Sequence, residues 1–489
     1  MHKTSISLIL LFAACKNNLN LQTIDPTTTP EEVTEEEETT EEEVVLDFAA
    51  DLAISKISLY QGVEIVLWED GSEPGRVQAP IVTNRDALVR VFLRAKSGFE
   101  ARRIAGHLFF EGGDSDGVEL VSKMRVEGPP SDKALDSTLN FEIGPDMIRK
   151  ATELKLEIRE ANEDGPGGGD PRDLRWKSER DMDGGLGAVG TDDLTIAIIP
   201  IRYNADGSGR LPDTSASDIQ RIHDLVYANY PAQSVTIRVD DPIPWNSNIT
   251  ASGGGWSQLL AEIADRRERA NELPNTYYYG LFSPSSNFYS FCSFGCVAGL
   301  SNLGSANQVW SRSSIGLGYS QNNLAAETLV HEVGHAHGRY HAPCGGASGT
   351  DPAFPYPGAK IGTWGYDLIE KDLLDPNVYT DIMGYCNRIW VSDYTYDALW
   401  ERIDQLSTQA RVIPRTVTRL LTDGADDTQV YGTLQLYGDD GEPVEVTLFD
   451  ASGAEAGVAR GQLFPNSHLP GGVIGLDRVL PEGWTAELR

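Results

Sequence analysis

Basic side chains are few in this chain: 40 Lys and Arg stand against 73 Asp and Glu over 489 residues, a formal net charge of −33. A nucleic-acid binder needs a basic footprint to displace counterions from phosphates, so that class is excluded. Histidine is scarcer still, with eight in all, and cysteine and methionine number five each. Past the first fifteen residues no apolar run is long enough to span a bilayer as a helix, and no internal repeat is present. With so few histidines, their placement carries information.

Four of the eight fall in His331-Glu-Val-Gly-His335-Ala-His-Gly338-Arg-Tyr-His341. A helix turns about 100° per residue, so His331 and His335 lie roughly 40° apart on one face and one turn apart, where both can reach one metal ion. Glu332 is about 100° round from His331, beside the metal without being forced to ligate it, as a general base acting on water requires. Gly338 is free to take the left-handed conformation that ends a helix, after which the chain reverses and His341 returns as a third ligand. His337 lies about 200° from His335 and points away. Ser320-Gln-Asn-Asn323 offers capping residues, and Ala325, Ala326, Leu329, Val333 and Ala336 form an apolar stripe opposite His331 and His335. One side of the helix therefore packs on a core and the other faces a cleft. From this chain's own composition, the five fixed positions co-occur by chance in roughly one chain in 10⁵. Three histidines beside a carboxylate describe an open catalytic site, whereas structural zinc usually has four protein ligands, often Cys.

At these residues the sequence resembles the metzincin clan of zinc endopeptidases. The clan's second mark is a Met-turn beneath the metal, and Asp381-Ile-Met383-Gly-Tyr385-Cys386 is similar to it. The resemblance implies that Met383 packs under the three histidines. It also implies that the Tyr385 phenol, as in astacin-like and serralysin-like members, helps stabilise the oxyanion. Asp381 departs from those two families, which tend to carry Ser there. The resemblance covers roughly 193–411, with specific motifs only in 331–341 and 381–386. It implies an edge strand for an extended substrate near Ser314–Tyr319 and a specificity pocket near Asn387–Tyr394. The chain also resembles the dictomallein and mucin-degrading group.

Residues 1–15 read as a bacterial lipoprotein signal peptide, with Lys3, a short apolar stretch and Phe12-Ala-Ala-Cys15, in which Cys15 would be lipidated. Residues 16–48 read as an acidic disordered tether, with nine Glu among the thirteen residues of 31–43. The expected address is the bacterial cell envelope, lipid-anchored at the outer membrane and periplasmic or surface-exposed. The four remaining cysteines, Cys292, Cys296, Cys344 and Cys386, suggest two disulfides in an exported protein. Of three connectivities, Cys292–Cys296 with Cys344–Cys386 is favoured. No cysteine lies between Cys15 and Cys292, so an N-terminal pro-segment has no thiol with which to hold the zinc latent.

The chain is too long for one ordinary domain. The expected fold is multidomain α+β: an N-terminal β-sandwich over 49–190, a central metzincin-like α/β catalytic domain over 191–411 and a small C-terminal β module over 412–489. Leu154-Lys-Leu-Glu-Ile158 alternates strictly, and Val89–Leu93 does so except at Phe92. Acidic turns such as Asp114-Ser-Asp-Gly117 could bind calcium but match no recognisable loop pattern, and such turns usually bind nothing. The expected function is zinc-dependent endopeptidase action on extracellular or envelope proteins or glycoproteins by a likewise expected monomer. One Zn²⁺ sits on His331, His335 and His341, with Glu332 as general base and Tyr385 as oxyanion donor. The alternative is a catalytically silent surface binding protein that retains the metzincin fold.

Overall fold

A computed structural model describes residues 45–69, 79–112, 116–179, 185–321, 323–408, 413–424 and 428–489. The signal peptide with Cys15, nearly all of the acidic tether, and Asp114 and Ser115 of the calcium candidate lie outside these residues. Everything below concerns the unit Leu46–Arg489.

Two antiparallel sheets open the unit. The first is ordered β2 (Glu64–Glu69), β1 (Leu52–Tyr60), β3 (Ala87–Ala95) and β6 (Leu139–Ile143), and the second β5 (Glu119–Val126), β4 (Arg102–Glu111), β7 (Glu153–Glu160) and β8 (Arg175–Lys177). Their inner faces interlock: a Cβ on Gly106 of β4 would lie 2.8 Å from Leu139 Cδ1 of β6. In β7 the alternation places Leu154, Leu156 and Ile158 inward. In β3 it fails, because Ala87 to Leu93 are all buried. Arg90 is fully buried there and donates to the carbonyls of Ser131, Asp132 and Ala134, so a loop covers the outer face.

The middle of the unit is a mixed sheet ordered β10 (Val235–Val239), β9 (Leu194–Tyr203), β12 (Thr276–Phe282), β14 (Ser313–Leu317) and β13 (Gly299–Ser301), with β11 (Ile243–Trp245) also on β9. All pairs are parallel except β13 with β14. The seven residues of β12 are all buried, as expected for a strand covered on both faces. Four long helices accompany this sheet. After a short turn α1 (Pro171–Leu174) come α2 (Ala216–Asn229), α3 (Trp256–Arg269), the turn α4 (Phe288–Phe291), α5 (Leu324–Ala336) and α6 (Asp393–Thr408). Between α5 and α6 lie the two-residue pairs β15 (Gly365–Tyr366) with β16 (Leu373–Leu374), and β17 (Thr380–Asp381) with β18 (Ile389–Trp390).

The last sheet is ordered β20 (Thr428–Leu436), β19 (Arg415–Thr422), β23 (Gly472–Leu476), β22 (Glu455–Pro465), β21 (Glu442–Phe449) and β24 (Thr485–Leu488). It curls into a half-barrel, so that the Thr428 hydroxyl on one edge donates to Ala486 O on the other.

The expected multidomain α+β fold with a metzincin-like α/β catalytic domain is corrected by this architecture. The protein is mostly β, with 37% strand against 18% helix, spread over several sheets and a half-barrel. The reason is where the apolar faces go. One core cluster runs without a break from Ala49 through both N-terminal sheets, β9 and α5 to Leu406. A helix-period motif identifies its own helix and nothing of the sheets that cover it. No helix among the described residues is long and apolar enough to cross a membrane.

Candidate metal centre

Helix α5 begins after Asn323, which makes no side-chain cap, so the capping expected from Ser320–Asn323 does not form among the described residues. The helix is held instead by burial: Thr328 to His337 are all buried. Its His331 and Glu332 side borders a cavity, as the stripe pattern suggests, although other segments bury the histidines themselves. It ends as expected, with Gly338 at φ 84 and Arg339 N donating to Gly334 O at 3.0 Å.

The reversal brings His341 back to His331 and His335. His335 Nε2 lies 3.1 Å from His331 Nε2 and 3.1 Å from His341 Nε2. Nitrogens bound at 2.0–2.1 Å to one tetrahedral ion stand about 3.3 Å apart, so the three atoms fit a common metal. In each ring Nδ1 donates to a carbonyl: His331 to Ile382 at 2.7 Å, His335 to Arg339 at 2.6 Å and His341 to Ser348 at 2.5 Å. That bond fixes the tautomer and leaves the Nε2 lone pair for a metal. Burial, reinforced by the neighbouring imidazoles, keeps the rings neutral: His331 is pushed down to about 3 and His341 to about 4, and His335 lies well below its ordinary value. Neutral imidazole is the form that binds metal.

His337 stands apart. Its Nδ1 donates to Val333 O at 2.8 Å and its ring stacks on Tyr277 at 4.2 Å between centroids.

Met383 lies 1% exposed beneath the helix, and its sulfur would be 2.5 Å from a Cβ placed on Gly334. The mid-helix glycine thus makes room for the methionine. Asp381 anchors this turn: its carboxylate accepts from Met383 N at 2.8 Å and from Ser392 N at 2.9 Å, which ties the turn to the start of α6. Disulfides join Cys292 to Cys296 and Cys344 to Cys386. The second links the loop after His341 to the residue after Tyr385, and Tyr385 N donates to Cys344 O at 3.2 Å. The Tyr385 hydroxyl is 3.1 Å from His341 Nε2, and burial with the nearby Glu332 carboxylate raises its pKa, so the phenol stays protonated.

Glu332 is 1% exposed, and burial pushes its carboxyl up to about 8. The Ser467 hydroxyl lies 3.3 Å from its Oε2, and His468 Nε2 lies 2.6 Å from its Oε1. His468 also meets the Tyr385 hydroxyl through Nδ1. It joins His331, His335 and His341 as a fourth imidazole, all four offering ligand nitrogens within 4.8 Å of one another. Sequence reasoning missed His468 and Ser467. They sit in Asn466-Ser-His-Leu-Pro-Gly471, which reads as a plain turn with no spacing to the motif. The weak signal available was the rarity of histidine itself.

A cavity of about 530 Å³ opens onto this cluster, lined by His331, Glu332, Tyr385 and His468 together with Gly299, Asn387 and Ile389. Gly299 is required there: a Cβ would fall 2.3 Å from Glu332 Oε1.

Residues 299–396 match the model of the family Peptidase M66, so this stretch, which holds the histidine motif and Met383, is similar to a peptidase family. No curated protein matches the chain.

Proposed function

We propose that the protein is a zinc-dependent endopeptidase whose metal-binding motif follows the metzincin pattern. The observation that carries this reading is the convergence of three neutral, tautomer-fixed imidazoles with a buried carboxylate, inside the stretch similar to a peptidase family. His331, His335 and His341 would hold the ion, and Zn²⁺ suits an all-imidazole donor set. When bound, such an ion supplies Lewis-acid polarisation and acidifies water.

The chain's own residues do the rest. Glu332 accepts a proton from the attacking water and returns it to the departing amine; burial raises its basicity toward the working pH, where a general base is most effective. Tyr385, kept protonated, donates a hydrogen bond to the oxyanion. The cavity at Asn387 and Ile389 would receive a substrate side chain. The two disulfides support an exported location. We place the chain in the bacterial cell envelope through lipidation of Cys15, as a monomer acting on protein or glycoprotein.

The test measures bound zinc and casein hydrolysis by the full-length chain and by His468→Ala, with and without chelator. Stoichiometric zinc in both forms is expected, with chelator-sensitive cleavage by at least His468→Ala that a further Glu332→Ala abolishes. One bound zinc with no cleavage by either form would overturn the reading in favour of a silent binding protein.

A further inference from the structure

Strand β13 ends the middle sheet, and its free edge is the natural place for an extended peptide to be held through its main chain. A segment of the same chain pairs with residues 301–303, where that strand ends. Leu303 N donates to Pro465 O at 3.0 Å, Ser467 N to Ser301 O at 2.9 Å, and Ser301 N to the Ser467 hydroxyl at 2.9 Å. Asn302 pairs antiparallel with Asn466. Leu469, on the far side of the turn, packs against Gly253, where a Cβ would come within 2.5 Å of its Cδ2.

Between these anchors His468 enters the metal centre. Ring centroids of His331, His335 and His341 are 4.7, 4.6 and 5.3 Å apart, and that of His468 lies 5.1, 5.0 and 4.9 Å from them. Four nearly equidistant rings mark the corners of a tetrahedron. In His468, Nδ1 is engaged by the Tyr385 hydroxyl, while the buried Nε2 makes no aligned hydrogen bond. The 2.6 Å approach of Nε2 to Glu332 Oε1 lacks hydrogen-bond alignment. It sets the imidazole against the carboxylate that would otherwise meet water.

We propose that residues 465–468 are a built-in stopper, paired with residues 301–303 where β13 ends, with His468 as the fourth nitrogen ligand of the metal. A site with four protein ligands is closed, whereas a catalytic one keeps a position open. The folded chain is therefore latent, and displacement or cleavage of this turn opens it. The inference rests on the metallopeptidase reading and extends it to the regulation of the same site.

Zinc-edge X-ray absorption of the zinc-loaded full-length protein tests the ligand set directly and needs no variant. Four imidazoles are expected; three imidazoles with one oxygen would overturn the stopper and leave the metallopeptidase reading standing. Failure to take up stoichiometric zinc would overturn both. In the cobalt-substituted protein, acetohydroxamate should leave the visible spectrum of the wild type unchanged. In His468→Ala it should shift the bands, with at least about tenfold tighter binding. An equal response in the two proteins would also overturn the stopper.

Discussion

Helix α5 and the turn 465–471 contribute to one cluster of four histidines by different routes. Three imidazoles come from eleven consecutive residues, placed by helical rise and a single glycine reversal. The fourth comes from a turn between strands of another sheet, where Ser467 is 135 residues from Glu332. The first group is held by hydrogen bonds from Nδ1 to nearby carbonyls. The second depends on the pairing of residues 465–467 with 301–303, at the end of β13. A local motif thus brings three imidazoles and a carboxylate together, and a long-range contact adds a fourth imidazole.

The comparison breaks most sharply at Glu332, which both regions touch. With turnover measured in the His468→Ala background, Glu332→Ala should lower kcat by about 10²–10⁴-fold while zinc content stays at one. Retained turnover would remove Glu332 as the base. Tyr385→Phe in the same background should lower kcat by roughly 10²–10³-fold with little change in KM, as expected for loss of one oxyanion donor. A change confined to KM would make Tyr385 a binding residue instead.

Two smaller effects test the supports of each region. Gly334→Ala gains up to about 1 kcal/mol of helix propensity but drives a methyl into the Met383 sulfur. Overpacking should win, for a net loss of about 1–2 kcal/mol in denaturant unfolding; a stabilised variant would show that Met383 has room to move. On the side of the C-terminal sheet, Glu268 of α3 accepts from Gln435 N at 3.1 Å, and burial pushes its carboxyl up to about 7. Its folded pKa lies above the unfolded one, so the folded state holds the extra proton. Stability should be greatest below the ordinary carboxyl value, fall as pH rises to about 7 and then level off. Glu268→Gln should flatten that slope, by no more than about 2 kcal/mol after solvent screening. An unchanged pH profile would place the raised group elsewhere.

The short-range features were legible in the residue order. The end of α5 at Gly338 follows from backbone stereochemistry, and the buried face of β7 follows from a period of two. The unbroken burial of residues 328–337 and 87–93 was not legible, because covering segments from elsewhere override the polar face that periodicity suggests. The fold class failed for the same reason. Periodicity names single elements, and it does not say that strands outweigh helices two to one or that one core threads the first two sheets and α5.

Sequence alone therefore determined the motif: which imidazoles can share a face, which carboxylate stands beside them and where the helix must reverse, since rise, rotation and the freedom of glycine are local properties. Only the tertiary structure decided that Gly334 is a seat for Met383, that Asp381 ties the turn to α6, and that His468 reaches the centre. Those outcomes depend on sheet pairing and packing between distant segments, and local spacing does not encode them.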